Sequence, residues 1–230
     1  MSRKCEQCIA SKLNSLNSLS KEELFRISNC KKTKFLKKGE LLFDEGVHIN
    51  GIYCIQKGVC KVSKMGDNGR DQILNFAKQG DLIGERSLIS NEASNSKAIA
   101  ISNMEVCFIP KEEIIRDLEK NTNFSMSVLK RMALSLKKSD DIIVDLAQKT
   151  VKQRLASVLL FLEDQFTKDE EGENIEINLS REDIASIVGT ATESAIRLLS
   201  DFKKKRLIEL KGKKIFVLDR NALDKLARGF

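Results

Sequence analysis

Short apolar runs with a period of two, separated by glycines, fill the chain between residues 30 and 109. Eight of the twelve glycines fall between Gly39 and Gly84, and runs such as GIYCIQKG, VCKVSKM and DQILNFAKQG lie among them. Regularly spaced short strands with glycine turns are typical of a closed β-structure, so we predict a β-barrel or jelly roll here. A short helix is expected before it, because Ser20 and Glu23 have the spacing of a capping box.

A helical period replaces the strand pattern after Pro110, the only proline, which we expect in the first turn of a helix. Between residues 124 and 150 the apolar residues follow a heptad. Such a stripe either packs against the barrel of its own chain or forms a parallel dimeric coiled coil, and the pattern leaves both open. Its a and d positions are Leu129, Met132, Leu136, Ile143 and Leu146, with Ser139 interrupting the seam.

Two short helices joined by a glycine-containing turn are predicted near the end of the chain. Ser180 precedes Asp183 by three residues, Thr190 precedes Glu193 by three, and Gly189 lies between the two helix starts. This arrangement is typical of a helix-turn-helix. The basic run KKKR follows, and the segment LIELKGKKIFVL then predicts a two-stranded wing with a basic tip.

The second of these helices carries side chains that can read DNA bases. Arg197 can donate two hydrogen bonds to guanine, and Glu193 can accept one from cytosine. Glu193 can instead be only the capping acid, with Arg197 as its ion-pair partner, but the flanking basic residues favour DNA. The residues expected to contact double-stranded DNA are Ser180, Arg181, Thr190, Thr192, Glu193, Ser194, Ile196, Arg197, Lys203 and Lys204. The expected buried stripe of the same helix is Ala195, Leu198, Leu199 and Phe202.

Composition narrows the class of protein. Of the 230 residues, 41% are hydrophobic and 32% are charged, which is ordinary for a soluble globular protein. No apolar run approaches the roughly 18 residues that span a bilayer, and the first residues have no apolar signal segment, so we expect a cytoplasmic protein with no membrane role. The net charge of +7 is compatible with a polyanionic partner. We find no nucleophile–base pair and no glycine-rich phosphate loop, so an enzyme is not expected.

The chain resembles the CRP/FNR family of bacterial transcription regulators over nearly its whole length. GDLIGE at residues 80–85 is similar to the barrel signature of that family, and LSREDIASIVGTATESAIRLLSDF at residues 179–202 is similar to its DNA-binding signature. The resemblance implies that Glu193 and Arg197 read a GA-containing half-site. Ile196 stands where the FNR branch usually has serine and the CRP branch glycine, and its side chain suits a thymine methyl group. The resemblance also implies a homodimer formed through the long helix, a palindromic operator and RNA polymerase as a partner.

The resemblance implies a ligand pocket in the barrel, but this chain departs from the CRP pattern. In the CRP branch, a glutamate binds the ribose of a cyclic nucleotide and a later Arg-Ser pair binds its phosphate. Gly84 and Glu85 match the first part, whereas the later stretch NEASNSKAIA has no arginine. Ser96 and Lys97 are the weak remaining candidates, and a lysine lacks the planar fork of arginine. Cyclic nucleotide binding is therefore not expected.

Cys5 and Cys8 have the spacing of a metal site or a dithiol. In the FNR branch, a 4Fe-4S cluster is held by three cysteines spaced C-x2-C-x5-C and by a distant fourth, and the resemblance places Cys107 on that fourth position. The third position is Asn14. An iron–sulfur cluster on Cys5, Cys8 and Cys107, a dithiol or zinc use of the first pair, and no cofactor at all remain open. The other cysteines are Cys30, which can fold near this site, and Cys54 and Cys60, which we expect as core filler.

The sequence thus predicts an α+β protein. An N-terminal segment with the CxxC pair and a short helix occupies residues 1–29, and a cyclic-nucleotide-binding-like β-barrel or jelly roll occupies 30–121. A dimerisation helix spans 122–147, and a winged helix-turn-helix spans 148–230. We expect a sequence-specific DNA-binding transcription regulator that senses a redox, oxygen or small-ligand signal. The alternative is a small-molecule or nucleotide binding module without a DNA role.

Overall fold

The structure of the chain is a computed structural model, and it describes residues 5, 8–67, 69–166 and 179–229. The chain divides into two compact units. The main boundary falls within one long helix, between Lys137 and Lys138, and the short segment Arg70–Gln72 also groups with the second unit. No helix in the described part of the chain combines the length and apolar character needed to cross a membrane.

The first unit begins with a short helical segment. The capping box predicted for its longest helix is confirmed, because Ser20 Oγ accepts a hydrogen bond from the Glu23 amide at 3.2 Å and the Glu23 carboxylate accepts one from the Ser20 amide at 2.7 Å. The segment consists of α1 (Ile9–Lys12), a 3₁₀ turn (Ser15–Ser18) and α2 (Lys21–Cys30).

Two antiparallel four-stranded sheets follow and form a jelly-roll-like sandwich. The fold class is confirmed, but the two sheets stay separate instead of closing into one barrel. One sheet has the order β1-β8-β3-β6 and the other β2-β7-β4-β5. The strands are β1 (Lys32–Leu36), β2 (Leu41–Phe43), β3 (Gly51–Lys57), β4 (Cys60–Met65), β5 (Asp71–Ala77), β6 (Leu82–Ile83), β7 (Lys97–Ala100) and β8 (Met104–Pro110).

The sheet that contains β3 and β8 is buried on both faces. Because successive strand residues point to opposite faces, Ile55 packs in a core between the two sheets, whereas Ile52 and Cys54 pack in a second core on the outer face. The second core is covered by the N-terminal segment and by helices that follow the sandwich, including Phe124 and Val128. The strand pair β3–β8 therefore has a helical layer on its outer side.

The helices of this unit are tied to each other by a partly buried ion network. The guanidinium of Arg26 on α2 donates hydrogen bonds to Glu113 and to the buried carboxylate of Asp117.

Pro110 was expected inside the first helical turn, but it ends β8 and is the N-cap of the following helix, with ψ of 149°. The helices are α3 (Glu85–Ser90), α4 (Lys111–Lys120) and α5 (Thr122–Gln148).

The second unit is a helical domain with a small hairpin. Arg154 on its first helix donates to the carbonyl oxygens of Val188 at 2.9 Å and Lys149 at 2.8 Å, and Leu155 and Phe202 are fully buried in its core. After α5, the elements are α6 (Val151–Phe166), α7 (Arg181–Val188), α8 (Thr192–Lys204), β9 (Ile208–Lys211), β10 (Lys214–Val217) and α9 (Arg220–Arg228).

Candidate nucleic-acid interface and buried thiol cluster

Helices α7 and α8 are joined by a turn that only a residue with positive φ accommodates easily. Gly189 has φ of 69° and ends α7, and the Thr190 amide donates to the Ala185 carbonyl at 3.0 Å. At the start of α7, Ser180 and Asp183 form a complete capping box. These local contacts fix where α8 begins.

The start of α8 differs from the sequence-based expectation. Its N-cap is Ala191, not Thr190, and no side chain caps it. Glu193 is therefore not a capping acid. In the described part of the chain, the side chains of Glu193 and Arg197 form neither a hydrogen bond nor an ion pair, so their charged groups are available to an external partner.

Helix α8 has one buried face and one exposed face. Ala195, Leu199 and Phe202 are almost completely buried. Leu198, expected in the same stripe, is only half-buried, since it lies at its margin. The exposed face presents Glu193, Ile196 and Arg197, and Ile196 keeps 45% of its surface accessible.

The wing is attached to the helix-turn-helix by Arg181. Its Nη2 donates to the carbonyl oxygen of Gly212 at the tip of the β9–β10 hairpin, at 2.9 Å. Burial lowers the pKa of the Arg181 guanidinium. Arg181 is partly buried and holds the hairpin in place through this hydrogen bond. The structure thus gives Arg181 a role within the domain, and its contact with DNA stays a prediction.

The long helix α5 uses different faces for different purposes. Phe124 and Val128 are buried in the outer core of the sandwich, and Met132 packs against that core. Leu129 and Leu136, by contrast, keep 58% and 65% of their surface accessible in the single chain. Packing against the chain's own sandwich is thus observed for Phe124, Val128 and Met132, whereas the dimeric coiled coil stays a prediction for the exposed residues.

The residues expected to form a weak ligand pocket in the barrel each make contacts within the protein. Glu85 lies at the start of α3 after Gly84, and its carboxylate is 3.4 Å from the Arg131 guanidinium on α5. Burial raises the pKa of Glu85, and the Arg131 charge opposes this shift. The Ser96 carbonyl accepts a hydrogen bond from Ser94 Oγ at 2.7 Å, and Lys97 pairs with Ser63 in the sheet.

Four cysteines meet in the outer core of the sandwich. Cys54 on β3 and Cys107 on β8 lie opposite each other in the strand register. Cys5 and Cys8 are buried in the same core. The Cys5 carbonyl accepts a hydrogen bond from the Cys8 amide at 3.1 Å, and Ser11 Oγ donates to the carbonyl oxygens of Cys5 and Cys8 at 2.8 Å.

Polar side chains border this thiol cluster, defined as Cys5, Cys8, Cys54 and Cys107. Cys8 Sγ donates to Gln56 Oε1 at 2.7 Å, and Gln56 Nε2 lies 3.5 Å from Cys54 Sγ. Burial raises the pKa of Cys54 to about 12, and the neighbouring thiols add to the shift. Burial also raises the pKa of Cys107. A metal must therefore displace protons from these thiols when it binds.

Asn14 is engaged in fixing the N-terminal segment. Its Oδ1 accepts from the Leu16 amide at 2.9 Å, and its Nδ2 donates to the carbonyl oxygens of Ala10 at 2.8 Å and Gly80 at 2.9 Å. The same Nδ2 lies 3.5 Å from Cys54 Sγ. The amide at the expected third-cysteine position is thus a structural group in contact with a thiol.

Comparison with known proteins agrees with this architecture. The family model for the cyclic nucleotide-binding domain matches residues 33–121, and the model for the Crp-like helix-turn-helix domain matches residues 153–226. The fumarate and nitrate reduction regulatory protein of Yersinia pestis is 30% identical over 225 residues, which cover 97% of this chain and 90% of that protein. The chain belongs to the CRP/FNR family. It is a transcriptional regulator with a helix-turn-helix DNA-binding domain and an effector domain of the cyclic nucleotide-binding type.

Solved structures share the fold of this CRP/FNR regulator. A transcriptional regulator of the family from Eubacterium rectale has a TM-score of 0.76 and 23% identity, and the match covers 93% of this chain and 97% of that one. FixK2 from Bradyrhizobium japonicum has a TM-score of 0.74 and 23% identity, with 85% and 96% covered. At these identities the likeness concerns the fold.

The expected DNA contacts of the regulator occupy three kinds of environment. Glu193, Ile196 and Arg197 share the exposed face of α8, and Lys203 and Lys204 are exposed at its end. Ser180 and Arg181 are engaged within the domain. Thr190, Thr192 and Ser194 are half-buried around the start of α8.

Cysteine thiolates are the ligands that hold iron–sulfur groups, and the thiol cluster supplies donors of this kind. Among the described residues, no set of three or more His, Cys, Asp or Glu side chains is arranged to hold a metal ion. Cys5, Cys8 and Cys107 would hold the group, and the apolar core around them excludes water.

Cys54 is the candidate that sequence reasoning missed. It is buried, as the strand pattern predicts, yet it shares a core with the CxxC pair and Cys107 rather than with Cys60. The alternation of Cys54 with Tyr53 and Ile55 could have indicated which face of the sheet Cys54 occupies. The sequence could not indicate that Cys54 lies opposite Cys107, because that register depends on strands far apart in sequence.

Proposed function

We propose that this regulator binds palindromic double-stranded DNA as a homodimer and reads bases with Glu193, Ile196 and Arg197. The observation that carries the proposal is the exposed, unpaired state of Glu193 and Arg197 on the face of α8 opposite its buried stripe. A helix of this kind fits the major groove, where an arginine discriminates guanine by roughly 1–3 kcal/mol. Lys203 and Lys204 are positioned as phosphate contacts.

The exposed stripe of α5 supports the homodimer. Leu129, Leu136 and Ile143 are seven residues apart, and each keeps more than half of its surface accessible in the single chain. Seven-residue spacing is the period of a left-handed coiled coil. A two-fold pair of α5 helices would cover this stripe and would require a palindromic operator. As a DNA-bound regulator it would act in the cytoplasm with RNA polymerase, and we assign it no catalytic role.

The signal in this proposal enters at the thiol cluster, which would hold an iron–sulfur group. Such a group supplies oxygen-labile redox chemistry when it is bound. The chain's own residues would exclude water from it and fix Cys5 and Cys8 through the backbone contacts of Ser11. Binding of this group can change the affinity for DNA only if the group favours one of two dimer arrangements. A group that binds both arrangements equally well does not shift the equilibrium between them.

Selection of binding sites from random duplex DNA tests the DNA-binding proposal. We expect enrichment of a palindrome whose half-sites contain GA, with affinity that falls steeply as salt increases. Anaerobic purification followed by iron and sulfide analysis tests the sensor. Binding without sequence preference contradicts the reading face, and no binding to DNA at all favours a small-molecule module. Colourless, iron-free protein after reconstitution contradicts the iron–sulfur sensor and leaves the DNA reader intact.

A further inference from the structure

We propose that Cys54 is the fourth thiolate ligand of the iron–sulfur site, in place of the missing cysteine at residue 14. The complete set is then Cys5, Cys8, Cys54 and Cys107. This inference rests on the proposed sensor function and deepens it, because it assigns a ligand that the family spacing does not contain.

The strand register places Cys54 on the correct side of the sheet. It lies directly opposite Cys107 on antiparallel strands, where side chains of facing residues come within about 4.5–5.5 Å at Cβ. Both thiols face the outer core, together with Ile52 and Ile109. The two cysteines of the sheet therefore meet the two cysteines of the N-terminal segment in one apolar compartment.

The contact with Asn14 shows that Cys54 occupies the neighbourhood of the missing ligand. Asn14 Nδ2 lies 3.5 Å from Cys54 Sγ, and the rest of the Asn14 amide is bonded to Ala10, Leu16 and Gly80. An amide that is held in this way anchors the segment and does not turn toward a metal. The Cys54 thiol thus lies next to the position where a cysteine at residue 14 would present its own.

Gln56 links the N-terminal thiols to the strand thiol. It is two residues after Cys54 on β3, and it bonds to Cys8 Sγ through Oε1 and to Cys54 Sγ through Nε2. Hydrogen bonds to cluster ligands orient them and tune the potential of the site. In the metal-free protein Gln56 therefore holds Cys8 and Cys54 on the same side of the compartment. Once metal binding removes the Cys8 proton, the contact that can persist with a ligand is the one from Gln56 Nε2 to Cys54 Sγ.

The two remaining cysteines occupy different environments and serve as matched controls. Cys60 is completely buried, but it lies in the core between the two sheets. Cys30 is half-buried at the end of α2 and donates to the Ile27 carbonyl at 3.4 Å. Cys30 ends α2, and Ile27 of the same helix packs in the core that contains the thiol cluster, which makes Cys30 the rival fourth ligand.

Iron and sulfide content of single variants tests the assignment. The full chain and its variants Cys54→Ala, Cys54→Ser, Cys30→Ala and Cys60→Ala are purified and reconstituted anaerobically, and their visible spectra are recorded. The unaltered protein should hold about four iron and four sulfide per chain. Both Cys54 variants should hold less than about one iron. Cys30→Ala and Cys60→Ala should keep the content and spectrum of the unaltered protein.

A folded Cys54→Ser variant keeps the test decisive, because serine preserves polar contacts near Asn14 but is a poor iron ligand. Its fold is checked by thermal melting of the metal-free protein against metal-free unaltered protein. Full iron and sulfide in folded Cys54→Ser, or their loss in Cys30→Ala instead, overturns the assignment of Cys54 while the sensor proposal stands. Absence of iron from the unaltered protein overturns both.

Discussion

The carboxylate of Glu85 lies 3.4 Å from the guanidinium of Arg131 and so joins the short helix α3 to the long helix α5. The Glu85 side chain is 16% exposed, and the neighbouring Arg86 donates to Ser135 on α5 at 2.6 Å. Glu85 stands at the position that the CRP pattern assigns to ligand binding. Here that acid is held against the helix that carries the proposed dimer stripe.

Removal of Arg131 should destabilise the effector domain in a pH-dependent way. Arg131→Ala leaves the Glu85 carboxylate buried without its partner, which we expect to cost about 1–3 kcal/mol of unfolding free energy at neutral pH. Burial raises the pKa of Glu85, and loss of the opposing charge raises it further. The folded state then takes up a proton more readily than the unfolded state, so stability recovers as the pH falls through the raised pKa.

Urea unfolding at neutral pH and near about pH 5 measures this effect. Arg131→Lys is the control, because it keeps the charge and loses only the planar fork. An equal loss of stability for Arg131→Ala at both pH values would show that the ion pair is not the cause.

Arg197→Ala should abolish preference for the selected operator and leave weak, salt-dependent binding to unrelated DNA. The lost contact is expected to be worth about 1–3 kcal/mol at each half-site. Lys204→Ala is the matched comparison, since a phosphate contact affects all sequences equally and should lower the salt slope by about 1 per site. Fluorescence anisotropy with specific and scrambled duplexes over a range of salt concentrations measures the dissociation constants and so distinguishes the effects of the two variants. If Arg197→Ala loses affinity equally for the specific and the scrambled duplex, Arg197 does not read bases and the proposed reading face of α8 is wrong.

Ser139→Leu should strengthen self-association through α5. Ser139 interrupts an apolar seam, and it lies between Leu136 and Ile143, both of which are more than 60% exposed in the single chain. An added leucine at a seam position buries further apolar area when two helices pair. Sedimentation velocity over a dilution series measures the shift. As a control, leucine is placed at Lys137, an exposed neighbour outside the seam, and there we expect no change in the sedimentation profile. An unchanged dissociation constant in Ser139→Leu argues against this seam.

Cyclic AMP should not stabilise the protein, although a cyclic nucleotide-binding model matches the effector domain. Glu85 is engaged by Arg131, and the stretch from Asn91 to Ala100 contains no arginine to pair with a phosphate. A ligand that binds the folded state raises the melting temperature, and the rise grows with the logarithm of its concentration above Kd. Differential scanning fluorimetry over a concentration series of cyclic AMP up to millimolar measures this, and a rise in Tm that increases with cyclic AMP would restore the nucleotide pocket.

The local patterns of the sequence determined the jelly-roll-like sandwich, the long helix and the helix-turn-helix. Glycine-punctuated alternation, the heptad and the capping box at Ser20 and Glu23 each depend on residues within a few positions of one another, so they can be read along the chain. The expected cap at Thr190 was wrong by one residue, because the turn after Gly189 places Ala191 at the helix start. Helix boundaries are sensitive to such turn geometry.

Only the tertiary structure decided which cysteines share a compartment. The sequence singled out Cys5, Cys8 and Cys107, but nothing local relates Cys54 to them, since the β3–β8 pair joins segments about fifty residues apart. The hydrogen bond between Asn14 and Gly80 and the ion pair between Glu85 and Arg131 likewise join residues that are far apart in sequence. Side chains distant in sequence meet when strand register and helix packing are fixed, and those are set by the burial of the whole core rather than by any one segment.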